Sequence, residues 1–303
     1  MRDSSQTLYR TRLARVEQYI GRNLDREMDA AELARVACFS PFHFHRIFTA
    51  MKGVGIADYV RRLRLERAAH ALLTSDRTVA DIAEEAQYKN HESFTRAFGR
   101  RYGMAPSDWR LSDGAATEAD SDPPVAASEY PADVIERPAE TIHTLRHVGP
   151  YWTVGGTWQK LFDCLERAGA DAETCRFYGL PHDDPTLVAA QNSRYDACVA
   201  CDGEIDLSAD CGFEKMEFPA GEFLRVQFNG YIQQIARGYA WLFGFALPRS
   251  GRLPAEAPVL EHYAAGRVDP MQPTRVELLM LLEAPDAAAD NTEAEFSTPG
   301  EMP

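Results

Sequence analysis

The sequence predicts a multidomain chain: an all-α N-terminal domain of two helix-turn-helix subdomains (residues 1–111), then an α+β domain (residues 130–283) of two pseudo-symmetric β-β-α-β-β halves. Three observations predict it. Residues 40–48 return fifty positions later as residues 90–98, each copy carrying Phe-x-Arg-x-Phe after a capping residue, Ser40 or Asn90. A second repeat, offset by eighty-one, pairs Pro138-Ala139 with Pro219-Ala220, Gly149 with Gly230, Leu161-Phe162 with Leu242-Phe243, and Arg194 with Arg275. Between the repeats lies residues 112–129, a polar, acidic, breaker-rich stretch that reads as a linker.

At 303 residues, 45% hydrophobic and 26% charged, the chain has ordinary globular composition and length enough for two domains. Residues 1–10 contain no apolar run of the signal-peptide kind, so a cytoplasmic protein with no membrane partner is expected. The net charge of −14 divides unevenly: residues 1–110 hold 19 Lys+Arg against 14 Asp+Glu, a balance of +5, and the remainder carries −19. A basic unit suits a phosphate backbone, whereas the acidic remainder would be repelled by one or would attract cations.

Taking the elements in order, Leu13, Val16, Tyr19, Ile20 and Leu24 recur at helical spacing and make an amphipathic first helix. Asp29, three residues before Glu32, has capping-box spacing and opens a helix over residues 30–37; Cys38-Phe39 turns into the first repeated segment. With Phe44, Ile47 and Phe48 inward, Phe42, His43, His45 and Arg46 are expected to face outward. Residues 56–73, uninterrupted by Gly or Pro, read as one long helix joining the subdomains. After the Ser75 and Thr78 caps, a helix over residues 79–86 and a turn at Gln87-Tyr88 lead to the second copy. There Phe94, Ala97 and Phe98 turn inward and His91, Glu92, Thr95 and Arg96 outward. Arg can grip guanine O6 and N7, Glu can accept from cytosine N4, and Phe or Thr can touch a thymine methyl. Held on one rigid helix, two such segments could enter successive major-groove faces about 34 Å apart and read a non-palindromic site on double-stranded DNA.

Residues 29–110 resemble the DNA-binding domain of the AraC/XylS family of bacterial transcription regulators. The resemblance is carried by Leu33-Ala34, Phe44-x-Arg46-x-Phe48, Gly53, residues 59–68, Ile82-Ala83, Phe94-x-Arg96-x-Phe98, Arg101-Tyr102-Gly103 and residues 106–110. Where that family usually has Gly in each helix-turn-helix turn, this chain has Cys38 and Gln87. If those turns keep positive φ, each non-Gly residue costs on the order of 1 kcal/mol.

In the second domain each half reads strand, strand, helix, strand, strand. Residues 141–148 and 222–228 are strands, residues 151–167 and 232–247 amphipathic helices, and residues 195–200 and 276–282 apolar closing strands. A pseudo-two-fold between the halves would leave a groove, a usual place for a ligand. Residues 284–303 read as a disordered tail. Cys198-x-x-Cys201 with Cys211, and with Cys175 or His182 as a fourth ligand, has the composition of a metal or thiol site. On a strand, however, residues three apart face opposite ways, so these cysteines are expected to be buried or idle and no metal is assigned.

Residues 130–283 are similar to the GyrI-like small-molecule-binding domain through residues 194–199 (Arg-Tyr-Asp-Ala-Cys-Val), Phe218-Pro219-Ala220-Gly221, Tyr239-x-Trp241-Leu242, Leu247-Pro248-x-Ser250-Gly251 and residues 259–263 (Val-Leu-Glu-His-Tyr). The resemblance implies that Glu261 is the charge partner of a lipophilic, often cationic ligand, with Leu260 standing where that family usually has an aromatic residue. On a strand Glu261 and Tyr263 share a face, and Tyr151, Trp152, Tyr195 and Trp241 are further candidate ring faces for a cation. The expected function is therefore a small-molecule-controlled transcriptional regulator, an activator by resemblance, with RNA polymerase a candidate further partner and no cofactor. Two rivals remain open: a hydrolase using Glu261 as general base, and a DNA-binding protein whose second domain serves protein contacts only. No phosphate-binding loop, dinucleotide-type Gly pattern or zincin motif is present.

Overall fold

The computed structural model describes residues 2–111, 130–184, 188–202, 207, 211–268 and 272–284, with side chains from Thr7. The expected linker, and all of the expected tail except Ala284, lie outside the described residues. Two compact units form, one within Thr7–Ala126 and the other dominated by residues after Ala127.

The first unit contains seven helices among the described residues: α1 (Arg2–Arg22), α2 (Ala30–Val36), α3 (Pro41–Lys52), α4 (Ile56–Thr74), α5 (Val79–Glu85), α6 (His91–Tyr102) and α7 (Pro106–Leu111). The fifty-residue repeat is visible in caps and packing alike. Ser40 accepts from the His43 N–H at 3.3 Å and Asn90 from the Ser93 N–H at 2.8 Å. Both helices end on a left-handed glycine, Gly53 at φ 76° and Gly103 at φ 73°. Phe44 lies 5.8 Å from Phe48 and Phe94 5.6 Å from Phe98, and each second ring meets an edge-on aromatic, Tyr59 or Trp109. The second core gathers Leu65, Leu72, Ile82, Phe94, Phe98 and Trp109 around α4.

Cys38 and Gln87 are the two non-glycine residues with positive φ among the described residues, at 53° and 64°. The turns thus keep the backbone that suits glycine, and each is tied down from elsewhere. Arg12, itself buried, donates to the Cys38 carbonyl at 2.6 Å, and the Gln87 amide donates to the Asp25 carbonyl at 2.5 Å. The Asp29 box closes on one side only: Asp29 accepts from the Glu32 N–H at 2.6 Å, but the Glu32 carboxylate turns to Arg26 and Tyr19. Thr78 and Asp81 close a full box.

The second unit runs β1 (Ala132–Arg137), β2 (Glu140–Val148), α8 (Val154–Arg167), β3 (Cys175–Pro181), β4 (Arg194–Cys201), β5 (Glu214–Phe218), β6 (Gly221–Gly230), α9 (Ile235–Trp241), a π-helical turn Leu242–Ala246, α10 (Leu247–Ser250), β7 (Leu260–Tyr263) and β8 (Thr274–Leu281). The eight strands form one antiparallel, curled sheet ordered β1-β6-β8-β7-β3-β4-β2-β5. Exchanging the two β-β-α-β-β sets turns this order into its own reverse. The helix-bearing face carries α8 and α9; the opposite face holds Ile142, Tyr178, Cys198, Phe223, Leu260 and Leu279 in one apolar cluster.

Four cysteines are not idle, which corrects the sequence reading. Cys164 of α8 is bonded to Cys211, and Cys175 to Cys201, its direct partner across β3 and β4. Spacing hid this because the partners are far apart in sequence, by 47 and 26 residues. Cys198 is buried on the apolar face and unpaired. Among the described residues no cluster suited to a metal occurs.

Candidate DNA interface and ligand site

The two recurring helices are not equivalent. On α6, His91, Glu92 and Arg96 are exposed and Thr95 half-exposed, as the helical periodicity requires. On α3, Arg46 and Phe42 lie at the partly open surface with the guanidinium 5.0 Å from the ring centre, but His43 and His45 are buried, 0% and 4% exposed. The outward placement of the two histidines is therefore corrected. His43 shares a helical stripe with Ile47, four residues on, and His45 with Phe48, three on, where its ring approaches Gly55. The helix α1 also packs beside this first subdomain, with Tyr9 stacked on Phe39 and Glu17 bonded to Tyr59 at 2.8 Å. Burial and that bond push the Tyr59 phenol up to about 12.

Much of the basic excess in this unit is engaged internally. Arg64 donates to the carbonyls of Leu24 and Arg26, Arg110 to those of Leu72 and Arg77, and Arg101 pairs with Glu66 at 2.8 Å. The Arg64 and Arg110 contacts satisfy carbonyls in the last turn of α4 and in the segments just after α1 and α4. Arg46, half-buried, and Arg96, exposed, are the cations at matching positions of α3 and α6.

In the second unit, β7 brings Glu261 and Tyr263 to the helix-bearing face, as alternation predicts. Glu261, 5% exposed, accepts the Tyr263 hydroxyl at 2.6 Å on Oε2 and the Tyr239 hydroxyl at 2.7 Å on Oε1. The Tyr195 hydroxyl stands 3.3 Å from both Glu261 Oε2 and the Tyr263 oxygen. Trp158 of α8 meets Tyr263 edge-on at 5.4 Å and directs its indole N–H to Tyr195. Burial, then the Glu261 charge, pushes the Tyr195 and Tyr263 phenols well above their usual range. Both therefore stay protonated and act as donors to the carboxylate. Gly179, opposite Glu261 in the β3–β7 ladder, makes room for them: a Cβ there would lie 2.7 Å from Tyr195 Cζ and 2.8 Å from Glu261 Oε2.

Of the sequence candidates, the structure gathers Glu261, Tyr263 and Tyr195. Tyr151 stands one layer back, edge-on to Tyr195 at 6.0 Å with its hydroxyl donating to the Asp183 carbonyl at 2.7 Å. Trp152, the next residue, is 80% exposed, because one step along the 3-10 turn Tyr151–Thr153 rotates a side chain by about 120°. Trp241 stacks on Phe245 at 4.0 Å and donates to the Tyr130 carbonyl at 3.0 Å; two positions beyond Tyr239, it projects to a different side of α9. Leu260 belongs to the opposite face, so its departure from the aromatic does not alter this cluster. Sequence reasoning missed Trp158, Gly179 and Tyr239 as site residues. The signal was in the repeat: Trp158 and Tyr239 are eighty-one positions apart, and each stacks on the phenylalanine four residues on, Phe162 or Phe243.

The chain matches two family models, a helix-turn-helix domain over residues 33–112 and the GyrI-like small molecule binding domain over residues 131–283. The chain is similar to the transcriptional activator AarP of Providencia stuartii, 33% identical over 95 residues that make up 31% of this chain and 70% of AarP. It belongs to the AraC family of helix-turn-helix transcriptional regulators and carries a GyrI-like domain. The regulatory protein SoxS of Escherichia coli is 30% identical over 92 residues, 30% of this chain and 86% of SoxS. The HTH-type regulator YbfP of Bacillus subtilis is 37% identical over 102 residues, 34% of this chain, and the chain spans only 35% of YbfP's length. Among solved structures, the C-terminal domain of EcmrR superposes with a TM-score of 0.39 at 16% identity, covering 51% of this chain and 98% of that one. No helix among the described residues is long and apolar enough to cross a membrane.

Proposed function

We propose that this AraC-family chain is a transcriptional regulator whose residues 1–111 read promoter DNA and whose residues 130–283, across the linker 112–129, bind a lipophilic cation at Glu261. The observation that carries the reading is a buried carboxylate ringed by Tyr195, Tyr239, Tyr263 and Trp158, an anionic centre with aromatic walls suited to a cation. Tyr151 backs the cluster through Tyr195, while Trp241, stacked on Phe245, and the exposed Trp152 lie outside it. DNA contact rests on Arg46, Phe42, His91, Glu92, Thr95 and Arg96, with His43 and His45 shaping α3 from within. The ligand must favour one arrangement of the protein over another, or it could shift nothing. AarP is named an activator, and activation with RNA polymerase as partner is the sense of control we infer.

Binding without turnover is favoured over hydrolysis because both Glu261 oxygens already accept phenol hydroxyls, where a general base would have to accept a proton from water. The experiment is a gel-shift titration, at fixed salt, of DNA selected by the chain from a random pool. Arg46→Ala and Arg96→Ala should each lose sequence preference by about tenfold or more without unfolding. Tetraphenylphosphonium should shift the wild-type complex. Unchanged preference in both variants would remove the placement of the reading helices.

A further inference from the structure

The two disulfides of the second unit have different surroundings. Cys175 and Cys201 face each other across neighbouring strands. Cys164–Cys211 has a cation against it: Arg167 Nη2 lies 3.0 Å from the Cys164 sulfur and 3.3 Å from the Cys211 sulfur. Thiolates are the species that attack and leave in disulfide exchange, so a guanidinium in reach of both sulfurs favours the anion released when this bond opens. Stabilising the reduced form makes a disulfide easier to reduce. The DNA-reading role proposed above puts the chain among reduced thiols, where lasting structural disulfides are rare and those that form are mostly catalytic or redox-sensing.

The bond also has a place from which to act. Cys164 lies two residues beyond Phe162 and six beyond Trp158 on α8, and those rings pack on Phe177 at 5.1 Å and Tyr263 at 5.4 Å. Cys211 precedes β5, so the bond ties the helix that supplies the aromatic wall to the chain leading into another strand. We propose that Cys164–Cys211 is a thiol–disulfide switch, with Arg167 holding the released thiolate, whose state sets how firmly α8, packed on Phe177 through Phe162, presents Trp158 to the Glu261 cluster. Its last step rests on the reading of the Glu261 cluster as a ligand site.

The chemistry is exchange with a low-molecular-weight thiol. Its thiolate attacks one sulfur, the S–S bond breaks, a mixed disulfide forms and the other protein sulfur leaves as a thiolate beside Arg167. A second thiol resolves the mixed disulfide, so two thiols become one small disulfide and two electrons pass to the protein. The reverse reaction, with the small disulfide as oxidant, closes the bond and returns two thiols.

The test equilibrates the full chain in glutathione buffers of graded ratio, traps thiols by alkylation and measures each pair by mass spectrometry. Cys164–Cys211 should open at a less reducing ratio than Cys175–Cys201. Arg167→Gln should move only the first midpoint, by about tenfold toward more reducing buffer, with Arg167→Lys restoring part of the shift. Amide exchange over residues 154–167 should be faster in reduced chain and in Cys164→Ser/Cys211→Ser than in oxidised chain. Coincident midpoints, a midpoint indifferent to Arg167, or equal exchange in both states would overturn the switch. Tetraphenylphosphonium should bind the oxidised chain several-fold more tightly than the double-serine variant, and equal affinity would overturn the coupling to Glu261. Absence of binding in either state counts against the ligand reading instead, and the midpoint and exchange results then decide the switch alone.

Discussion

Replacing Glu261 by Gln keeps the size and one acceptor oxygen of the side chain while removing its charge. A cation about 4 Å from the carboxylate at an effective dielectric constant near 20 gains about 4 kcal/mol. Desolvating the cation and displacing phenol hydroxyls that already occupy the carboxylate, at 2.6 and 2.7 Å, takes back part of that gain. A net loss of about 2–3 kcal/mol, roughly 30- to 150-fold in Kd, is expected for tetraphenylphosphonium. Binding should persist, because ring faces contribute about 0.5–2 kcal/mol each without the charge. The neutral triphenylphosphine oxide should change less than about threefold, since apolar contacts are preserved. Quenching of tryptophan fluorescence reports both, with Trp158→Phe identifying the signal: Trp158 is the indole at the cluster, whereas Trp152 is exposed and Trp241 is committed to Phe245. Equal loss for the cation and the neutral compound would refute the carboxylate as a charge partner.

Cys38→Gly relieves a left-handed backbone worth roughly 1–2 kcal/mol, less about 0.5–1 for glycine's freedom in the unfolded chain, and should raise the Tm of the first unit by a few degrees. Gln87→Gly, which also loses the bond to the Asp25 carbonyl, about 1 kcal/mol, should leave Tm near its starting value in the same calorimetric scan. Gly179→Ala should cost tetraphenylphosphonium affinity by tenfold or so, with far-UV circular dichroism unchanged, because a methyl group pushes Tyr195 and Glu261 off their positions. Arg194 holds Asp183, and Arg225 holds Asp133, below the usual carboxylate range; burial alone would raise Asp196, but His182 and Arg146 keep it low. The folded state therefore binds fewer protons than the unfolded state. The stability from these pairs should be full above about pH 4 and lost as pH falls through the folded values, seen as a falling urea midpoint.

Local chemistry and periodicity made most of the fold legible. Ser40, Asn90, Thr78, Gly53 and Gly103 act at the positions their side chains or freedom suit, and the Phe44/Phe48 and Phe94/Phe98 spacings place those rings in the core, although on α3 the buried surface extends to His43 and His45 as well. Alternation placed Glu261 with Tyr263. What stayed hidden was of longer range. A strand pattern says which face a residue takes, not which neighbouring strand brings Gly179 opposite Glu261. Nor does helical spacing alone tell Trp158, which turns to the sheet, from Trp152, which turns to solvent. The same holds for the disulfides, whose partners meet only once α8 and the sheet are assembled.

The burial of His43 and His45 changes what the repeat means for DNA reading. Two helices with the same caps and the same inward phenylalanines differ on their outward faces. On α6 the exposed set includes two charged candidates for base contact, Glu92 and Arg96, with His91 and the half-exposed Thr95 beside them. On α3 the histidines are spent on packing, and Arg46 rests on the Phe42 ring, which narrows its directions while presenting a flat cationic and aromatic surface. Arg46 held this way suits one guanine and one thymine methyl, whereas α6 offers both a donor for guanine and an acceptor for cytosine N4. The two halves of a bound site should therefore carry unequal information, the half under α6 being the more discriminating. The positions themselves differ between the copies: fifty residues apart, Phe42 stands where α6 has Glu92, and the buried His43 and His45 stand where it has Ser93 and Thr95. An internally repeated domain can thus offer two unequal faces, because its copies keep the caps and the inward phenylalanines while their other positions differ.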